Sequence, residues 1–231
     1  MSKLVFDKTG ERKVTMGAKE CILFVKKSDG TYAVGIAWNG LTKASHSPEG
    51  GEATALYADD IKYGEFRSAE SVKGSAEFYM TPDEFYPCMG YGELHDTFKG
   101  VKVAQQKHVP FAICYKTTEG DDEDAERGYK LHIYYNCTAN PVSKEATSMN
   151  ESPEAATFSI EFTTTPEAVD GKKPTAYIEI DSQMLSSVTG GEAKLAKIID
   201  ALYGKDASQG VEASDPTLLK PNDILAILNE Q

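Results

Sequence analysis

Long apolar runs are missing from this 231-residue chain. No stretch approaches the ~20 apolar residues of a membrane-spanning helix, and the opening MSKLVFDKTGERKV is too polar for a secretory signal. The expectation is a cytoplasmic protein with no membrane partner. Cysteine is sparse: Cys21, Cys88, Cys114 and Cys137 lie far apart with no C-x-x-C pair. That spacing argues against a zinc or disulfide framework and predicts buried, reduced thiols that pack as small hydrophobes. Basic residues are short as well. Lys and Arg number 24 against 36 Asp and Glu, a net charge of −12, and such a surface repels a phosphate backbone. Sequence-specific nucleic-acid binding is excluded on that ground.

Catalytic motifs are also lacking. The chain has no G-x-S-x-G elbow, no phosphate-binding G-x-x-x-x-G-K-[ST] loop and no H-E-x-x-H pair. His46, His95, His108 and His132 are not spaced as metal ligands. Neither an enzyme nor a cofactor is expected.

What the chain does have is two-residue alternation. TYAVGIAW aligns Tyr32, Val34, Ile36 and Trp38. SVKGSAEFYM aligns Val72, Gly74, Ala76, Phe78 and Met80, and VPFAICYKT aligns Val109, Phe111, Ile113 and Tyr115. YKLHIYYNC aligns Leu131, Ile133, Tyr135 and Cys137, and TFSIEFT aligns Phe158, Ile160 and Phe162. With CILFVKK and TAYIEID these make about seven antiparallel strands, bounded by Gly, Pro, Asn and Asp. The predicted fold is mainly β, an antiparallel β-sandwich or barrel.

Three helical pieces interrupt the pattern. TPDEFYPC predicts a short helix capped by Thr81, with Pro82 at its first position, Glu84 closing a capping box and Pro87 stopping it. EAKLAKIIDALYG places Leu195, Ile198, Ile199 and Leu202 on one stripe, ended by Gly204. NDILAILNE predicts a C-terminal helix capped by Asn222 or Asp223. The intervening KDASQGVEASDPTLLKP reads as a mobile connector.

Two segments fit neither period. Residues 39–68 form a long excursion without sustained periodicity, the kind of loop that is functional or disordered. EGDDEDAERG crowds Asp121, Asp122, Glu123 and Asp124 into a hairpin connection. Ala125 and Arg127 break the EF-hand register there, so a solvated charged turn is the plainer reading. The NCT sequon at Asn136 is discounted without a secretory route. His132 falls on a strand's polar face, where a solvated or hydrogen-bonded imidazole is expected.

The order LYADDIKY (56–63), GSAEFYMTPDEF (74–85) and YNCTANP (135–141), followed by a late ALYG and LLKPNDILAIL, resembles the major tail tube protein of long-tailed bacteriophages and prophages of Gram-positive bacteria. The likeness spans roughly residues 15–229. It implies a β-sandwich with a flanking α-helix and a short C-terminal helix, divided into an N-terminal arm (1–15), a tail-tube domain (16–203) and a C-terminal connector with its helix (204–231). It also implies six-membered rings stacked into a tube, with tape-measure, initiator and terminator proteins as partners and DNA only in transit. The protein is then a virion component held in the host cytoplasm before assembly.

In that family the long loop reaches a neighbouring subunit. Tyr57, Tyr63 and Phe66 are the expected anchors, and Asp59, Asp60, Lys62, Glu65 and Arg67 set register by charge. Asp121, Asp122, Glu123 and Asp124 are candidate acids of the lumen or of a ring's rim. The alternative is a β-sandwich binding module for carbohydrate or a host surface, built on an aromatic platform of Trp38, Tyr86, Tyr91 and Tyr134.

Overall fold

The computed structural model describes every residue except 1–3, 5, 10–11, 52, 68–69, 144–147, 149–154, 208–211 and 231; the side chain of Arg67 also lies outside the described residues. Among the described residues twelve strands run in the order β1 Val14–Val25, β2 Ile36–Trp38, β3 Leu41–Glu49, β4 Ala53–Ala58, β5 Ile61–Arg67, β6 Ser71–Phe78, β7 Gly92–Glu93, β8 Lys102–Val103, β9 Phe111–Gly120, β10 Gly128–Ala139, β11 Phe158–Thr164 and β12 Tyr177–Asp181. A 3₁₀ helix spans Asp83–Met89, and the α-helices α1 Ser182–Ser186, α2 Gly191–Tyr203 and α3 Pro221–Asn229 follow the strands.

Eight strands form one antiparallel sheet in the order β2-β1-β9-β10-β11-β6-β3, with β12 beside the first half of β10. Both halves of this sheet contribute to one buried cluster. Leu23, Ile113 and Tyr134 come from β1, β9 and β10; Ala76, Phe78, Ile160 and Phe162 come from β6 and β11. The sheet therefore curls over its own core, and its end strands β2 and β3 are joined by only Asn39 and Gly40. Trp38 stacks on Phe78 at 4.0 Å and packs against Phe85 of the 3₁₀ helix at 4.5 Å. Its indole N–H donates to the Met80 carbonyl at 2.9 Å, so the one buried polar atom of the ring is satisfied.

A second cluster forms on the opposite face. Ile22, Phe24, Ala112, Cys114, Leu131, Ile133 and Tyr135 meet Leu195, Ile198 and Leu202 of α2 and Ile224 of α3. Strands β1, β9 and β10 are thus covered on both sides, which is why ILF, FAICY and LHIYY are nearly continuous apolar runs.

Strand β10 does not keep one face throughout. Tyr135 lies in the helix-side cluster, whereas Cys137, expected beside it, lies in the other. The cause is a bulge at Asn136, whose φ of 45° is left-handed and whose neighbours shift the β9–β10 register between Tyr134 and Cys137. The Asn136 side chain accepts from Lys26 Nζ (2.6 Å) and Tyr32 OH (2.9 Å) and donates to Glu167 Oε1 (2.8 Å). The residue of the sequon is therefore a structural hub.

Other expectations change in detail. Only Ile36–Trp38 of TYAVGIAW is strand, because Gly35 N–H turns to the Pro216 carbonyl (2.9 Å) and Val34 is left exposed. The helix at TPDEFYPC is 3₁₀, with Pro82 at its N-cap and Pro87 inside it. It ends at Gly90, whose φ of 76° is left-handed. Helix α3 begins at Pro221, and the Asp223 carboxylate accepts from the Lys220 N–H at 2.8 Å, displacing the cap by two or three residues.

The segment read as mobile is held at several points: Thr217 N–H reaches the Ala201 carbonyl (2.7 Å), Leu218 is buried, and the Leu219 carbonyl accepts from Tyr135 OH (3.0 Å). Residues 208–211 of that segment fall outside the described residues.

Candidate assembly surfaces

Residues 39–68 are not a structureless loop. Strand β3 pairs along β6, Gly50 and Gly51 turn the chain with φ of 81° and 73°, and β4 and β5 pair only with each other. The alternation was hard to read because neither face of the β4–β5 hairpin is buried by its own chain. Leu56, Tyr57, Ile61, Tyr63 and Phe66 are 48, 72, 63, 76 and 65 % exposed.

Direct cross-strand partners share a face. Thr54↔Phe66, Leu56↔Gly64 and Ala58↔Ile61 make one face apolar; Ala55↔Glu65 and Tyr57↔Lys62 make the other polar, where Lys62 and Glu65 form an ion pair. Tyr63 is the extra residue where the register shifts. Asp59 and Asp60 form the two-residue turn, with φ of 51° and 57°, a geometry Asp tolerates better than most residues. The candidate interface residues thus share one hairpin but not one surface. Phe66 stands on the apolar face, Tyr57 and Lys62 on the polar one, and the two aspartates at the tip. Arg67, read as a register-setting charge, has its side chain outside the described residues.

A second exposed turn was not anticipated. Between β7 and β8, Leu94, Phe98 and Val101 are more than half exposed. Leu94 N–H donates to the Val101 carbonyl (2.7 Å), the amides of Thr97 and Phe98 donate to His95 Nδ1 (3.1 and 3.2 Å), and Gly100 N–H donates to Glu93 Oε2 (3.0 Å). Lys102 anchors the base through Asp83 at 2.7 Å and lies over the Tyr86 ring at 3.3 Å. Its sequence trace is only isolated apolar residues in a polar stretch.

The acidic turn is ordered rather than merely solvated. Asp121 Oδ1 accepts from the amides of Glu123 (2.8 Å) and Asp124 (2.7 Å), and Arg127 pairs with its other oxygen. Backbone donation from Asp124 and then Glu123 holds the Asp121 carboxyl below its ordinary value. Asp122 lies 3.7 Å from Arg12, and Glu123 and Asp124 remain exposed. Of the four candidate acids, Asp121 and Asp124 are committed to the turn, Asp124 Oδ1 accepting from the Glu126 N–H at 3.0 Å.

On the curled face beyond the apolar core, β9, β10 and β12 carry a polar ladder. Lys130 Nζ lies 3.1 Å from Glu179 and 3.6 Å from the buried Glu119. Glu179 Oε2 accepts from Tyr177 OH (3.0 Å), His132 Nδ1 lies 2.7 Å from that hydroxyl, and His132 Nε2 lies 2.8 Å from Thr117 Oγ1. Burial would raise the Glu179 carboxyl, but hydrogen bonds from Lys130 and Tyr177 hold it low. His46 reaches the Tyr134 hydroxyl at 3.2 Å.

Trp38, Tyr86, Tyr91 and Tyr134 do not form the aromatic platform expected of a binding module. Trp38 and Tyr134 are fully buried, and Tyr86 and Tyr91 pack edge to face at 5.6 Å, partly covered. The four cysteines are free and buried. Among the described residues no helix is long and apolar enough to cross a membrane.

A family model for phage tail tube proteins matches residues 1–200. A comparison with curated proteins gave no match.

Proposed function

The chain belongs to the phage tail tube protein family, and from that premise we propose that six copies close into a ring and that rings stack into a hollow conduit for genome delivery. Membership makes it a structural component of the phage tail. The observation that carries the finer reading is the β4–β5 hairpin, which projects a face bearing Leu56, Ile61 and Phe66 that its own chain leaves uncovered. Fully burying one such side chain is worth about 1.5–3 kcal/mol, so a neighbouring copy that covers this face gains substantially. A contact of unlike surfaces closes into a ring or propagates as a stack according to its rotation.

The net charge of −12 fits a lumen along which phosphates slide rather than bind. The exposed Glu123 and Asp124 contribute to that field, at the lumen or at a rim. Tape-measure, initiator and terminator proteins are the further partners in this reading. The protein waits in the host cytoplasm before assembly.

The experiment is negative-stain electron microscopy with size-exclusion chromatography, on the full chain and on a variant lacking residues 53–67. Six-membered rings or tubes from the full chain, and a folded monomer from the deletion, are expected. Tubes formed equally well by the deletion variant would remove the hairpin from the interface.

A further inference from the structure

Strand β12 and helices α1, α2 and α3 enclose an apolar groove of about 530 Å³, floored by Ile180, Leu185, Ile198 and Ile224 and edged by the exposed Met184 and Val188. Glu179, paired with Lys130 at 3.1 Å, and Asp181 line its strand side, and among the described residues no Lys or Arg is part of the lining. Asp181 caps α1 through one carboxylate oxygen, accepting from Met184 N–H at 2.8 Å.

Among the described residues several exposed apolar segments could fill such a groove, Leu4 and Phe6 near the N-terminus included; two of them are hairpin turns. The β4–β5 hairpin leads with Asp59 and Asp60, which would bring two carboxylates against that of Asp181. The β7–β8 turn carries Phe98 and Lys99, an apolar ring beside a cation, with the single carboxylate of Asp96 two residues before the ring. Its shape is already fixed by the hydrogen bonds from Thr97, Phe98 and Gly100, and His95 backs the Phe98 ring at 4.9 Å. A preorganised aromatic anchor loses little conformational entropy on docking.

We propose that the β7–β8 turn of one copy seats Phe98 in the β12–α1–α3 groove of a second copy, with Lys99 facing Asp181. The inference rests on the proposed assembly but uses neither surface of the β4–β5 hairpin. The contact joins unlike surfaces, so it propagates between copies rather than pairing two.

Cysteine cross-linking tests it, because the native thiols are buried and stay silent. Thr97→Cys and Val188→Cys chains are mixed, assembled and oxidised, with an Ile61→Cys and Val188→Cys mixture as the comparison; Thr97 is exposed beside Phe98 and leaves Lys99 in place. A covalent dimer from the first mixture only, together with about a tenfold higher assembly concentration for Phe98→Ala, is expected. Assembled particles without that dimer, or with the Ile61 dimer instead, overturn this contact alone. A chain that stays monomeric at every concentration overturns the assembly itself, and this contact with it. Unchanged assembly by Phe98→Ala also counts against the seat, and that variant's far-ultraviolet circular dichroism verifies its fold.

Discussion

The imidazole Nδ1 of His132 lies 2.7 Å from the hydroxyl of Tyr177. That hydroxyl donates onward to Glu179, so its oxygen accepts the Nδ1 proton, leaving Nε2 to accept from Thr117. His132 is therefore satisfied as a neutral ring, and burial lowers its pKa from the ordinary value. His46 is lowered by the same cause.

Stability should depend on pH accordingly. The unfolded chain takes up protons on these rings below about 6.5, while the folded chain resists them to lower pH. The stabilisation is complete above that value and falls as pH drops through the folded pKa, at up to about 1.4 kcal/mol per pH unit for each proton. Urea unfolding at pH 7.5 and 5 should show the loss, and His132→Gln should make it shallower. An equally steep dependence in that variant would remove His132 as a cause.

Asn136→Ala should cost about 2–4 kcal/mol. It deletes the bonds to Lys26, Tyr32 and Glu167 and leaves a non-glycine residue at left-handed φ. Asn136→Gly relieves only the backbone part, about 1–2 kcal/mol, so denaturant midpoints of the two variants separate the contributions.

Gly74 lies opposite Phe162, and a Cβ there would sit 2.3 Å from the ring's Cζ. The ring is buried and cannot yield freely. Gly74→Ala should destabilise by about 1–3 kcal/mol, and Phe162→Leu should recover part of the loss when combined with it. Strict additivity in a double-mutant cycle would contradict this packing account.

Thiol labelling gives a simple readout of the two cores. Burial raises all four cysteines, Cys88 and Cys114 to about 12. The native protein should resist a maleimide at pH 7.5, and all four should label in denaturant.

The hairpin substitutions Leu56→Ser and Phe66→Ser should leave monomer stability within about 0.5 kcal/mol, since both side chains are exposed. Their effect should appear in assembly, read as particle yield at fixed concentration. A large fall in monomer stability would mean that the face is covered within its own chain.

Periodicity reports burial, and that is where the sequence was legible. In β6 and β11 one face is buried, so Gly74, Ala76, Phe78, Ile160 and Phe162 stand out by alternation. The stripe of α2 was equally clear, with Leu195, Ile198 and Leu202 buried as spaced. Helix α1, at five residues, is too short to show a period. In β4 and β5 no face is buried by the chain itself, so their strand character left no two-residue trace. The turn at His95–Gly100 is held mainly by local bonds that no apolar pattern encodes.

Composition and spacing determined that this chain would build an antiparallel sheet with reduced thiols inside and an acidic exterior, because those properties belong to residue types and to their period along one strand. The tertiary structure decided what depends on distant partners. The curl of the sheet brings Trp38 onto Phe78. The bulge that sends Tyr135 and Cys137 to opposite cores is held by Lys26, Tyr32 and Glu167. Whether an apolar residue lies in a core or on an open surface is fixed only when the remaining elements have packed: Phe162 is covered and Phe66 is not.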